Sequence, residues 1–349
     1  WHWQFHRMYW LTNYGKVYAS TKDEKYASAY VADVLDWIKD NPSGYPRTLD
    51  TGIRLWNWVE AYQYFVAKYR SRSVSSEAHF TILKSLISQC LFLRDNWRSV
   101  GNWGASETQG LCSVVTMFPE LNFSINTAWT WWRDLVISRL QHHLSNDFHP
   151  DGVQIETSPG YACLEYRNLF LAYKLMNLNS ITISDALINL FVKPLEYMMH
   201  IHKPDGYLPQ LSDTDRKSYL SYLEEGAQLF GRQDMLYAAT KGAQGIPSQK
   251  TFASFPIGGV FVMRSDWGSN RSNYQNTKYL VFDMSSNEPS HAHSDILTFE
   301  AYVNGNLLVR DAGRYTYTVG SWRDYFRGTA GHNTLVVDGK DQKVATTGT

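Results

Sequence analysis

Gly245-Ile246-Pro247-Ser248 divides the sequence into two kinds of pattern, and that division decides the fold. Downstream of it, short runs rich in β-branched and aromatic residues recur: Ile257–Met263, Lys278–Met284, Ile296–Val303, Asn306–Arg310 and Thr334–Asp338. Asn304-Gly305 separates two of them. Asn-Gly is the favoured two-residue hairpin turn, because both positions tolerate positive φ. An antiparallel sheet is expected. Upstream, the period becomes helical. Ala27, Tyr30, Val31, Val34, Leu35 and Ile38 form one apolar stripe behind a capping box at Thr21-Lys22-Asp23-Glu24. Leu55, Trp58, Val59, Tyr62, Val66 and Tyr69 form a second, and Trp129, Trp132, Val136, Leu140 and Leu144 a third. His149-Pro150-Asp151-Gly152 and Lys203-Pro204-Asp205-Gly206 stop helices in the same way, which suggests stacked helical hairpins. The expectation is an α+β multidomain chain, with a helical domain over 1–245 and the start of an antiparallel β-sheet domain over 246–349.

Size and composition narrow the function. At 349 residues the chain exceeds the length at which single cores stop growing. Lys+Arg and Asp+Glu balance at 33 each, which argues against a nucleic-acid partner. There is no apolar run long enough for a membrane span. Only 19% of residues are charged and 15% are aromatic, a balance that suits stacking on sugar rings or a large aromatic core. Cys90, Cys112 and Cys163 have no zinc spacing and are expected as buried helical thiols. The chain opens on Trp1-His2-Trp3 and stops in Val344–Thr349, which reads as the interior of a β region. A processed or C-terminally truncated fragment is therefore expected.

Three clusters carry chemistry. Gly101-Asn102-Trp103-Gly104, running on through Glu107 to Gly110, reads as a glycine-rich interhelical loop. Ser158-Pro159-Gly160-Tyr161 sets a tyrosine at a helix start, either as a rigidly held phenol or as a packing residue in a capping turn. His291-Ala292-His293-Ser294-Asp295 enters a strand, where residues two apart share a face. Asp311 and His332 lie farther on, at strand ends. Two imidazoles and a carboxylate suit zinc or manganese, and hydrogen-bonded structural histidines are the plainer alternative.

The segments His291–Tyr302, Leu308–Tyr317 and Trp322–Gly339 resemble the C-terminal domain of the heparinase II/III family of polysaccharide lyases. Asn102-Trp103, Ser158–Tyr161 and Thr51-Gly52-Ile53-Arg54 resemble its helical domain. The resemblance implies an incomplete (α/α) toroid followed by an antiparallel β-sheet (β-sandwich) domain. It implies cleavage of a uronate-containing anionic polysaccharide by β-elimination, in a secreted or periplasmic protein. Asn102 and His291 would neutralise the uronate carboxylate, so that the C5 proton becomes acidic enough to remove. Tyr161 would act as acid and base. Arg54 would supply positive charge or bind a carboxylate, Glu107 would orient the site, and Trp103 and Tyr315 would meet the sugar. His293, Asp311 and His332 match the family's metal ligands, implying one divalent ion, zinc before manganese or calcium, in a structural role. The scarcity of basic clusters favours alginate over heparin or heparan sulfate. A glycoside hydrolase on an (α/α) toroid, with carboxylates from Asp151, Glu156, Asp213 or Asp215, is the alternative. A non-catalytic glycan-binding protein is another.

Overall fold

The structure, a computed structural model, describes residues 2–68, 70–120, 129–285 and 291–342. The expected β character of 344–349 lies outside the described residues, as does Tyr69 of the second stripe. The first helices are α1 (His2–Arg7), α2 (Trp10–Thr21), α3 (Glu24–Asp40), α4 (Thr48–Tyr62), α5 (Ser76–Asp95) and α6 (Gly101–Met117). They are followed by α7 (Trp129–Asn146), α8 (Pro159–Leu178), α9 (Asp185–Ile201), α10 (Leu220–Leu229) and α11 (Gln233–Ala239). Then come β1 (Phe252–Phe255), β2 (Val260–Arg264), α12 (Arg271–Asn276), β3 (Tyr279–Asp283), β4 (Thr298–Val303), β5 (Asn306–Val309) and α13 (Ser321–Arg327). No helix of the described residues is long and apolar enough to cross a membrane. All three cysteines are free and buried, on α5, α6 and α8.

Packing divides the chain into two compact units, 1–143 with 168–183, and 144–167 with 184–349. This does not coincide with a division at 245, which follows secondary structure: α9 to α11 belong with the sheet. In the first unit the three stripes turn inward, burying Tyr30, Val34, Leu55, Trp58 and Trp132. Thr21 closes α2, and Asp23 caps α3 instead, accepting from the Lys25 N–H. The stretch from Gly101 to Gly110 is helix, not loop. Its glycines serve close packing of α6 on α4: a Cβ on Gly110 would lie 2.1 Å from the Gly52 carbonyl oxygen, and one on Gly52 would lie 2.6 Å from Glu107 Cα. Backbone cannot retreat as a flexible side chain can. Gly110→Ala is therefore expected to cost about 1–3 kcal/mol, as overpacking does. A urea melt checks it, and an unchanged midpoint would contradict this packing.

In the second unit the sheet is antiparallel in the order β1-β2-β3-β4-β5. Four strands match expected runs, β1 was not foreseen, and Thr334–Asp338 forms only an isolated bridge, Val337 to Lys340. Asn304 and Gly305 both have positive φ, 49° and 82°, as the hairpin turn requires. On β4 every second residue is buried, and two of these, Thr298 and Glu300, are polar. Each is satisfied: Thr298 donates to Asp311, and Glu300 pairs with Lys203 at 3.0 Å and accepts from the Gln210 and Asp311 N–H groups. Those bonds hold the strand end that carries Asp311.

Candidate active site

Pro159 opens α8, a position where its missing N–H is no loss. The Thr214 hydroxyl accepts from the Gly160 N–H and lies 3.0 Å from the Ser158 hydroxyl, fixing the first turn. Tyr161 is therefore held rigidly. Its ring lies parallel to His291 with centroids 3.4 Å apart, and its hydroxyl is 2.8 Å from that of Tyr317. Burial raises the Tyr161 phenol, outweighing the hydrogen bond from Tyr317 and the nearby Arg314 charge that lower it. Burial also raises Tyr317, with help from Asp213 and Tyr161. Both rest as neutral phenols.

Asp213 organises this surface. Its carboxylate takes both guanidinium nitrogens of Arg323 at 2.5 and 2.8 Å, His291 Nδ1 at 3.0 Å and His293 Nε2 at 2.8 Å. Its backbone N–H donates to the His291 carbonyl. Burial works to raise the carboxyl, but these hydrogen bonds prevail and hold it far below the usual range. Asp215 likewise takes Arg314 through two bonds of 2.9 Å, and is lowered by that pairing despite partial burial. The guanidinium groups of Arg314 and Arg323 lie over the Tyr317 ring, at 4.2 and 5.0 Å. Asp213 and Asp215 are thus committed carboxylates, and neither is the protonated acid that a glycoside hydrolase needs. Asp151 accepts from the Ile257 and Gly258 N–H groups, a turn-fixing role.

Beside this hub, three donors converge. One oxygen of Asp295 and one nitrogen from each of His293 and His332 lie within 4.8 Å of one another. His293 Nδ1 and His332 Nε2 are buried, and His293 Nδ1 has no hydrogen-bond partner among the described residues. Each ring is gripped on its other nitrogen by a carboxylate, His293 by Asp213 and His332 Nδ1 by both oxygens of Asp311 at 3.0 Å. Carboxylates placed behind imidazoles in this way orient them for a metal. Burial and the neighbouring Asp295 also push Asp283 up to about 7, a repulsion that a cation would relieve. The residues fit a divalent ion: Asp295 joins His293 and His332 in the close donor group, and Asp311, the carboxylate expected as ligand, lies against His332 Nδ1.

The other expected residues fall as follows. Asn102 is buried in the first turn of α6. Trp103 lies between the guanidinium groups of Arg47 and Arg98, each 4.6 Å from its ring. Arg54 is not a substrate group. It is fully buried, donating to Gln89, the His6 carbonyl and Thr51, and it stacks on Trp37. Glu107 is also fully buried and accepts from the Arg98 N–H, so it braces the start of α6. Tyr315 points into an exposed aromatic group with Trp322 and Phe326, and Tyr317 stands at Tyr161 in its place. Sequence reasoning missed Tyr317, Arg314, Arg323 and Asp295 as site residues and offered Asp213 only as a hydrolase carboxylate. The first four lie inside the segments that carry the family resemblance.

Residues 1–237 match the family model for the heparinase II/III N-terminus, and 247–348 that for the heparinase II/III-like C-terminal domain. A heparin-sulfate lyase of Pedobacter heparinus is 26% identical, over 98% of this chain and 52% of that protein. One of Bacteroides thetaiotaomicron is 27% identical, over 98% and 52%. Among solved structures, a heparinase III superposes with a TM-score of 0.84 at 23% identity, over 98% of this chain and 56% of that one. A heparan sulfate lyase of Pedobacter heparinus gives 0.73 at 25%, over 98% and 55%. These likenesses bear out the expected fold class, an incomplete (α/α) toroid followed by antiparallel sheet. The chain spans about half the length of the curated relatives it matches. With both domain models matched in order along nearly its whole length, this chain belongs to the heparinase II/III family.

Proposed function

We propose that this chain carries the reacting groups of a polysaccharide lyase that cleaves heparan sulfate or heparin by β-elimination. The observation that carries the reading is the Tyr161–Tyr317 hydroxyl pair at 2.8 Å, with Tyr161 stacked on His291. A C5 proton next to a uronate carboxylate is removable only when charge developing on that carboxylate is stabilised. His291 is oriented for this by Asp213 on its Nδ1, which leaves Nε2 to face substrate. Asn102 enters the proposal as the amide donor through family resemblance. Tyr161 takes the C5 proton as phenolate and returns a proton to the O4 leaving group. Its ionised form needs positive charge nearby, and Arg314 provides it in place of the buried Arg54. Tyr317 stabilises the same oxygen by hydrogen bonding. A divalent ion, held by His293, His332 and Asp295, would tie the strand ends together and so fix His291. Such a polymer is met outside the cytoplasm, so the proposed placement is secreted or periplasmic.

The expectation of alginate is set aside. It rested on the absence of basic runs in the sequence, but folding brings Arg314 and Arg323 together at Tyr317. The related proteins are named heparin-sulfate lyases. A panel of heparan sulfate, heparin, alginate, hyaluronan and chondroitin, read by absorbance of the unsaturated product, tests the reading. Heparan sulfate or heparin is expected to give product at least about tenfold faster than alginate, a difference of about 1.4 kcal/mol in barrier. Faster product from alginate would overturn the assignment.

A further inference from the structure

Four consecutive residues between α9 and α10 each hold a different part of the candidate site. Ser212 donates from its hydroxyl to Asp295 at 3.3 Å, inside the close donor group. Asp213 takes His293 on one oxygen and His291 on the other, with Arg323 bonded across both. The Thr214 hydroxyl accepts from the Gly160 N–H and meets Ser158, fixing the turn that carries Tyr161. Asp215 pairs with Arg314, whose guanidinium lies over the Tyr317 ring. Ser212, Asp213 and Thr214 are all buried. The chain bends tightly here, the Thr214 N–H donating to the Ser212 carbonyl two residues back, and Ser212 has φ of 51°. A residue other than glycine takes the left-handed region at a cost. Such strain persists where the surroundings over-determine it, and it clusters at working sites.

We propose that Ser212–Asp215 is a relay through which occupancy of the His293, His332 and Asp295 donor group sets the positions of His291 and Tyr161. A divalent ion there is then an activator of the reacting groups as well as a tie between strand ends. The inference deepens the lyase reading and rests on it. His293 is gripped on Nε2 by Asp213, and its buried Nδ1 has no partner among the described residues. A ring held at one nitrogen can pivot about that bond, and coordination at the other nitrogen removes the pivot. One oxygen of Asp213 is then fixed from the donor-group side, while Arg323, bonded to both oxygens, keeps the plane of the carboxylate. The other oxygen holds His291 Nδ1, so the imidazole has one direction in which to aim Nε2. Ser212 ties the same turn to Asp295, and Thr214, next along, passes any shift to the start of α8. Energetic coupling between sites is carried by chains of packed, hydrogen-bonded side chains of this kind. Four separate anchors with no coupling are the opposing outcome of the test.

The test follows the His291 ring by NMR in protein carrying isotopically labelled histidine, stripped with chelator and then loaded with zinc, with no saccharide present. The His291 signal, assigned by its loss in His291→Ala, is expected to shift as zinc saturates, although His291 is not one of the three donors. In Asp213→Asn, whose amide cannot accept from both imidazoles, zinc is expected to bind about 10–100-fold more weakly. At saturation it is expected to leave the His291 signal in place. Should Asp213→Asn melt early, Ser212→Ala removes only the link to Asp295 and is expected to diminish the His291 shift. Thr214→Val tests the other arm. It keeps the shape and loses the hydroxyl that fixes Gly160, and is expected to lower kcat on heparan sulfate about tenfold, as misplaced reacting groups do, with KM and zinc affinity within about twofold. A His291 signal that ignores zinc in the wild type, or shifts equally in Asp213→Asn and Ser212→Ala, would overturn the relay, as would wild-type protein that binds no zinc. Unchanged kcat in Thr214→Val would overturn the arm to Tyr161. A zinc-dependent His291 shift in wild-type protein that makes no unsaturated product would overturn the lyase reading and leave the link from donor group to His291 standing.

Discussion

Tyr161→Phe is expected to fold as the wild type does and to lose unsaturated product by several orders of magnitude. The substitution removes one hydroxyl and leaves the ring on His291, where stacking at 3.4 Å holds it. General acid–base groups typically supply about 10²–10⁴-fold, and a single tyrosine serving both proton transfers has the larger share to lose. The pH dependence follows from the same geometry. Burial holds the Tyr161 phenol above its ordinary value, so the protonated form dominates near neutrality. The phenolate fraction then grows tenfold per pH unit below that raised value, and kcat/KM is expected to climb with pH across the neutral range. A pH–rate profile on wild type and an absorbance assay on Tyr161→Phe check the two claims. Wild-type-like product from Tyr161→Phe would end this mechanism.

The mechanism separates what the chain announces from what only folding assembles. The β-rich run Ile296–Val303 and the Asn304-Gly305 turn are local signals, and both appear where expected. The glycines of α6 misled because glycine serves two ends, loop freedom and close helix contact, and only the carbonyl of Gly52 tells which. Tyr161 and His291 were legible through family motifs. Tyr317 was not separable from Tyr315, since two tyrosines two residues apart look equivalent until the φ of 54° at Tyr315 turns one of them away. Arg54 was chosen for charge, but charge says nothing about depth, and its guanidinium is spent on Gln89, His6 and Thr51. Asp213 and Asp215 were legible only as candidate carboxylates of a hydrolase. Their use depends on Arg323 and Arg314, about a hundred residues away, and no spacing rule reaches that far.

His293→Ala is expected to strip a divalent ion from the purified protein and lower its melting temperature, whereas His291→Ala keeps the ion and loses turnover. The two histidines are two residues apart, yet their free nitrogens differ. His291 spends Nδ1 on Asp213 and stacks on Tyr161, while His293 spends Nε2 on Asp213 and leaves a buried Nδ1 without a partner among the described residues. A buried nitrogen with no partner is costly unless something binds it, and His332 lies in the same close donor group. An ion bound only by the folded state would add about 2.7 kcal/mol of stability at a hundred times its dissociation constant. The carboxylates set up a finer contrast. Asp295→Ala removes an oxygen from the donor group and is expected to abolish stoichiometric metal. Asp311→Asn leaves the three donors in place but loosens the grip on His332, so affinity is expected to fall about 10–100-fold, as for other carboxylates placed behind metal-binding imidazoles. Elemental analysis and melting curves with and without chelator decide both contrasts. Full metal content in His293→Ala would remove the site. Metal retained in Asp295→Ala and lost in Asp311→Asn would return Asp311 to the ligand position.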